Sequence, residues 1–180
     1  MNKLALMLAG VAACVSMTAP ARASDESPAG IAAATDAATD ARTDVADFLD
    51  GKDLKPGQYV WRDTGAGGPV KMVISLGDQM GYLYRGDELV AVTTVSTGKD
   101  GHPTPVGVFP VLGKQTMYRS KKYDNAPMPW MQRLDNYGIA LHAGHNPGYA
   151  ASHGCVRLPA AFAKKLYGVT QVGTTVMIGA

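Results

Sequence analysis

The sequence predicts a mainly β domain of sandwich-like build with one or two short helices, set behind an N-terminal segment of different character. Three observations carry that reading. Short runs rich in Val, Ile, Tyr and Thr follow one another from Tyr59 onward. Gly77-Asp78 and Gly86-Asp87 punctuate them as tight-turn pairs. A convincing helical spacing of apolar side chains occurs at one place, Pro159 to Tyr167. With 180 residues and 46% hydrophobic content, the chain suits one domain plus extras.

Residues Met1 to Ala23 have the layout of a secretory signal. Lys3 precedes an apolar run from Leu4 to Val15, and Ala21-Arg22-Ala23 supplies a small-x-small cleavage site. The apolar run is too short to span a bilayer as a helix. A second reading takes Val11-Ala12-Ala13-Cys14 as a lipobox with Cys14 lipidated, although Cys14 lies early for that role. Both readings send the protein out of the cytoplasm, and soluble export to a periplasm is the favoured one.

From Ser24 to Gly57 the pairs Thr35-Asp36, Thr39-Asp40 and Thr43-Asp44 recur every four residues in an alanine-rich background. Such spacing puts the aspartates on one helix face, with only Val45, Phe48 and Leu49 for apolar surface. The segment 24–57 is therefore expected to be a partly helical tether. It holds eight acidic and three basic residues, whereas Gln58 to Ala180 holds twelve basic and seven acidic ones. That asymmetry fits either a basic catalytic face for an anionic polymer or a solvated surface balanced by its own tether.

Within residues 58–180, Val70–Ser75, Met80–Arg85 and Leu89–Ser96 read as a three-stranded meander. Thr97 to Gly107 is loop-like. Val106–Leu112 reads as a strand interrupted by Pro110, hence at an edge. Gly113 to Asp135 is basic and irregular, and a loop of that length suggests a lid or binding surface. Gly138–Leu141 reads as a brief strand delivering His142 at its end. The helix Pro159–Tyr167 has Pro159 in its first turn, Phe162 and Leu166 one turn apart, and Gly168 as its cap. Thr174–Ile178 closes the chain as a strand.

The chemistry concentrates in Ala151-Ser152-His153-Gly154-Cys155-Val156-Arg157-Leu158-Pro159. Once the signal is removed, Cys155 is the only cysteine left, with no intrachain partner in an oxidising compartment. A lone thiol flanked by glycine and histidines is a candidate nucleophile rather than a small buried hydrophobe. It needs a base. Of the four histidines, His102 sits in a Gly-His-Pro-Thr-Pro turn far upstream and reads as a surface residue. His153 lies two residues from Cys155, a poor spacing for mutual contact. His142 can reach Cys155 from a neighbouring strand, and His145 carries no assignment.

Ser-His-Gly-Cys-Val-Arg-Leu, with a Gly-Ile-Ala-Leu-His run ending thirteen residues before the cysteine, resembles the signature of the L,D-transpeptidase catalytic (YkuD) domain. Ser96-Thr97-Gly98, Thr104-Pro105-Val106-Gly107-Val108-Phe109 and Met128-Pro129-Trp130-Met131 agree with it, and the resemblance covers Tyr59 to Ala180. It implies a cysteine acyltransferase of the same mainly β fold, acting on peptidoglycan stem peptides. The implied roles are Cys155 as nucleophile, His142 as general base and the N–H groups of Gly154 and Cys155 as oxyanion hole. Ser152, His153 and Arg157 are the expected substrate contacts. Arg157 suits a substrate carboxylate, or else pairs with Asp124 or Asp135. Trp130 and Tyr118 read either as lid contacts or as packing. Ala143 offers no hydroxyl to orient His142, so that task falls to a backbone carbonyl.

The resemblance leaves the acceptor open among a second stem amine, a wall-anchored lipoprotein, a free D-amino acid and water; the last is an L,D-carboxypeptidase. No cofactor is expected, no nucleic acid, and a monomer. A zinc peptidase using the histidines and Cys155 as ligands would lack a nearby carboxylate base, because no Asp or Glu follows Asp135. An inactive wall-binding module is the third class, and the intact Cys-His pair argues against it.

Overall fold

Val, Ile and Tyr runs separated by Gly-Asp turns leave the chain little choice but antiparallel pairing. In the computed structural model, which describes residues 23–62 and 64–180, they form the meander β2 (Val70–Ser75), β3 (Met80–Arg85) and β4 (Glu88–Thr94). The export-signal and lipobox readings fall on residues 1–22 and lie outside the described ones. β1 (Tyr59–Trp61) pairs with β4, while β10 (Thr175–Gly179) runs parallel to β2 and antiparallel to β5 (Gly107–Pro110). The six-stranded order is β1-β4-β3-β2-β10-β5, so β5 takes the edge that its proline requires.

A second, four-stranded sheet has the order β6-β7-β8-β9, from β6 (Gly113–Arg119), β7 (Pro127–Arg133), β8 (Ala140–Ala143) and β9 (Val156–Leu158). The main core lies between the sheets and helix α2 (Ala160–Val169). Met72, Ile74, Leu83, Phe109, Leu141, Leu158, Phe162 and Leu166 meet there, all essentially without exposure. The mainly β reading holds. Gly168, expected as a cap, lies inside α2, and Thr170 ends the helix instead.

The tether reading fails. Residues Pro28–Phe48 form a 21-residue helix, α1, with Ser27 accepting the Gly30 N–H as its N-cap and Pro28 in the first turn. The aspartates 36, 40 and 44 do face solvent, as their spacing requires. The opposite face is not empty, however. Ala34, Ala38 and Ala41 are fully buried against the six-stranded sheet, and Phe48 closes the patch. Alanines allow a close approach. A Cβ added at Gly179 of β10 would lie 2.4 Å from the Ala34 carbonyl oxygen and 2.8 Å from Ala38 Cβ. Tyr84 donates to Asp44 at 2.7 Å, and Arg42 binds Ser75 Oγ at 3.1 Å and also Asp78. With α1 on its outer face, the meander is covered on both sides, so Tyr82 and Tyr84 pack outward as Leu83 packs inward.

The long irregular loop is also corrected. Residues 113–133 form the β6–β7 hairpin, leaving only 120–126 as its turn. β6 is an edge strand of mainly exposed, polar residues and β7 carries two prolines, so neither displays the alternation by which strands are recognised. Trp130 takes a positive φ of 56° between the pairs Gln115–Met131 and Met117–Pro129. The register runs on unbroken through this kink, and Met128 and Met131 pack with Tyr118, Ala140 and Cys155.

Candidate active site

β8 and β9 are parallel, with Leu141 opposite Val156, His142 opposite Arg157 and Ala143 opposite Leu158. Alternation sends Leu141, Ala143, Val156 and Leu158 into the core. His142 and Arg157 consequently face the other way, into a cleft of about 640 Å³. Cys155, two residues before Arg157, joins that face on the diagonal from His142. The strand ends two residues later than expected, so His142 lies within β8 and is only 7% exposed.

The turn carrying Cys155 is held by the two other short motifs. Arg157 exchanges both backbone hydrogen bonds with Ser96 at 2.9 and 3.0 Å, and Thr97 accepts the N–H groups of Ala151 and Ser152. Thr104 Oγ1 donates to the Gly154 carbonyl at 2.8 Å while accepting the Gly98 N–H at 2.8 Å. Gly154 has φ +112°, which demands glycine, and a Cβ there would lie 2.8 Å from Ile139 Cδ1, so that side-chain end would have to shift.

Ser152 is structural. Its hydroxyl donates to the Cys155 carbonyl at 2.5 Å and accepts the Gly154 N–H at 3.0 Å. The Gly154 N–H, one of the two expected oxyanion donors, is thus engaged with Ser152 in this structure. Among the described residues, no hydrogen bond uses the Cys155 N–H.

His142 Nδ1 lies 2.8 Å from the Ala143 carbonyl oxygen. A carbonyl only accepts, so Nδ1 carries the proton and Nε2 is left bare as an acceptor. That carbonyl is the orienting group the sequence could not name. Burial holds His142 below the ordinary imidazole value; its backbone hydrogen bond opposes this and the Arg157 charge adds to it. Burial pushes the Cys155 thiol up and the Asp135 charge adds to that, against a backbone contact from Ala140 and the Arg157 charge. At rest both groups are neutral, and the Cys155 thiol donates to the Gly138 carbonyl at 3.3 Å.

Arg157 finds neither Asp124 nor Asp135: among the described residues its guanidinium forms no ion pair. Its stem lies over Gly144, where a Cβ would come within 2.9 Å of Arg157 Cγ. The head is thus held at the cleft without being neutralised.

His153 is exposed at the rim, stacked on Tyr123 at 4.5 Å and edge-on to His102 at 4.8 Å. Partial desolvation in this stack, with the charges of Lys99, His102, Arg157 and Lys122, keeps it below the usual imidazole value. His102 is a surface residue, as expected, and it also lines the cleft rim; a turn fifty residues away in sequence gives no local sign of that contact. His145, Tyr118 and Tyr137 also line the cleft. Trp130 does not. It packs edge-on to Tyr167 at 5.6 Å, with Lys164 over its ring, on the α2 side. Among the described residues, no group of three His, Cys, Asp or Glu side chains is gathered as metal ligands would be.

A family model described as L,D-transpeptidase catalytic domain (YkuD) matches residues 69–178. An L,D-transpeptidase from Mycobacterium smegmatis superposes with a TM-score of 0.58 at 21% identity, over 63% of this chain and 60% of that one. One from Stackebrandtia nassauensis gives 0.56 at 29% identity, over 66% and 58%. L,D-transpeptidase 3 from Mycobacterium tuberculosis, carrying a faropenem-derived adduct, gives 0.58 at 20% identity, over 63% and 61%. The chain thus covers less than two thirds of the length of these structures. A search of curated proteins gave no match.

Proposed function

The chain belongs to the L,D-transpeptidase catalytic-domain (YkuD) family, and from that premise we propose that it is an exported cysteine acyltransferase acting on peptidoglycan tetrapeptide stems. The observation that carries this is the pairing across β8 and β9. Cys155 and His142 share one face of a cleft, and His142 is tied through Nδ1 to the Ala143 carbonyl.

In this reading, His142 Nε2 takes the thiol proton as Cys155 Sγ attacks the carbonyl of the L,D link at the third stem residue. The Cys155 N–H donates to the developing oxyanion. Arg157 binds a stem carboxylate. As the C–N bond breaks, His142 returns the proton to the departing D-alanine amine, leaving a thioester on Cys155. A second stem amine then attacks the thioester and loses its proton to His142. The amide forms, and Cys155 recovers its thiol. Water in place of the amine gives hydrolysis, and a lipoprotein amine gives wall anchoring.

Incubating the purified protein with disaccharide-tetrapeptide and following products by mass spectrometry tests this directly. Cross-linked dimer is expected; tripeptide alone would make the enzyme a carboxypeptidase. Full activity in Cys155→Ala would overturn the nucleophile assignment.

A further inference from the structure

The nucleophile is held by a turn that the sequence reading left unassigned. Asp135, 7% exposed, lies two residues past the end of β7. Its Oδ1 accepts three successive backbone N–H groups, from Tyr137 at 2.9 Å, Gly138 at 2.8 Å and Ile139 at 2.8 Å. An aspartate that closes a turn commonly collects one or two such bonds; these three hold the backbone of three of the four residues between it and β8. The middle residue, Gly138, has φ +111°, so its carbonyl points where an ordinary turn would not send it. That carbonyl is the acceptor of the Cys155 thiol. The next residue, Ile139, sets Cδ1 against Gly154, next to the nucleophile in the chain.

We propose that Asp135 is a positioning residue for the nucleophile: by gathering three N–H groups onto one oxygen it aims the Gly138 carbonyl at Cys155 Sγ and seats Ile139 against the nucleophile turn. Asp135 touches neither substrate nor reacting atoms. It acts through the turn, which parks the thiol in one rotamer at rest. Its charge also acts on the thiol, opposed by that of Arg157 on β9. The other titratable groups sharing the cleft are His142 on β8, His145 beyond it, Tyr118 on β6, Lys121, Lys122 and Tyr123 in the hairpin turn, Tyr137 in the Asp135 turn, and His102 and His153 at the rim. Among the described residues, no carboxylate lines the cleft itself. Removing the Asp135 charge therefore has a defined direction: the thiol should ionise at lower pH.

The proposal rests on Cys155 being the nucleophile, and the test separates the two claims. Asp135→Ala and Asp135→Asn are compared with the unaltered full chain by three measurements: thermal melting, kcat and KM on tetrapeptide, and the pH profile of Cys155 alkylation by iodoacetamide. Asn keeps an accepting oxygen in place and loses the charge. Expected is a fall in kcat of about 10²-fold in Asp135→Ala with KM little changed, since misplacing a reacting group costs that much. Asp135→Asn should recover most of that loss while its alkylation profile moves to lower pH. Should Asp135→Ala fail to fold, the alkylation profile of Asp135→Asn decides alone. An unmoved profile, a folded Asp135→Ala with undiminished kcat, or equal losses in both folded variants would each overturn the proposal. Cys155→Ala, assayed beside them, reports on the nucleophile independently.

Discussion

Thiol reactivity gives the sharpest test of the resting site. Cys155 lies above its ordinary value of 9.0 and His142 below its ordinary 6.5, in each case first through burial. Both shifts widen the gap between them. With the ordinary values alone, moving the proton from thiol to imidazole would populate the ion pair to about 0.3%. The shifts lower that population further, so the ion pair lies about 3 kcal/mol or more above the neutral pair. Attraction between the ions works against this, but His142 and Cys155 stand on a diagonal rather than directly opposite. The sign for pH follows. His142 must be neutral to accept a proton, and it stays so as pH falls through 6.5, so acylation should hold level there and decline only in more acid solution. The thiol keeps its proton past pH 9.0, so iodoacetamide, which needs thiolate, should react slowly at neutrality. Its rate should climb about tenfold per pH unit into the alkaline range. The assay follows the Cys155 peptide by mass spectrometry from about pH 5 to 10. In His142→Ala, acylation by tetrapeptide should drop by about 10² or more while the alkylation profile changes little. A plateau of fast alkylation reaching below neutrality would reveal a thiolate–imidazolium pair and refute the reasoning.

Three further outcomes are expected. A carbapenem offers a strained carbonyl and a carboxylate together, so meropenem should leave a covalent adduct on Cys155, formed several-fold more slowly in Arg157→Ala; an unchanged intact mass in active enzyme would count against this. Gly144→Ala pushes a methyl group toward the Arg157 stem at 2.9 Å, and should raise KM about tenfold with little change in melting temperature. Gly179→Val drives a side chain into the α1 backbone at Ala34, costing about 1–3 kcal/mol, so melting should fall by about 2–4 °C for each kcal/mol lost. An unaffected melting temperature there would mean that α1 does not pack on β10.

The meander, the edge strand at Pro110 and the meeting of Cys155 with His142 on one cleft face were legible because each has a local cause. β-branched and aromatic runs pair, Gly-Asp turns reverse the chain, and proline forbids a second neighbour. The Cys155 thiol and its Ser-His-Gly-Cys context likewise depend on covalent chemistry that sequence states outright. What stayed hidden depends on surfaces that meet across the fold. The alanines of α1 read as mere helix propensity until β10 supplied a glycine for them to approach. β6 has no alternation of its own, and is a strand because β7 lies beside it. Nothing near His102 announces that a loop will carry it to His153, and nothing near Asp135 shows that its turn aims a carbonyl at Cys155. Nor does the motif show that the Ser152 hydroxyl engages the Gly154 N–H. Sequence determined which groups can react. Folding decided which of them are aimed, desolvated and free, because those properties belong to distances between residues far apart in the chain.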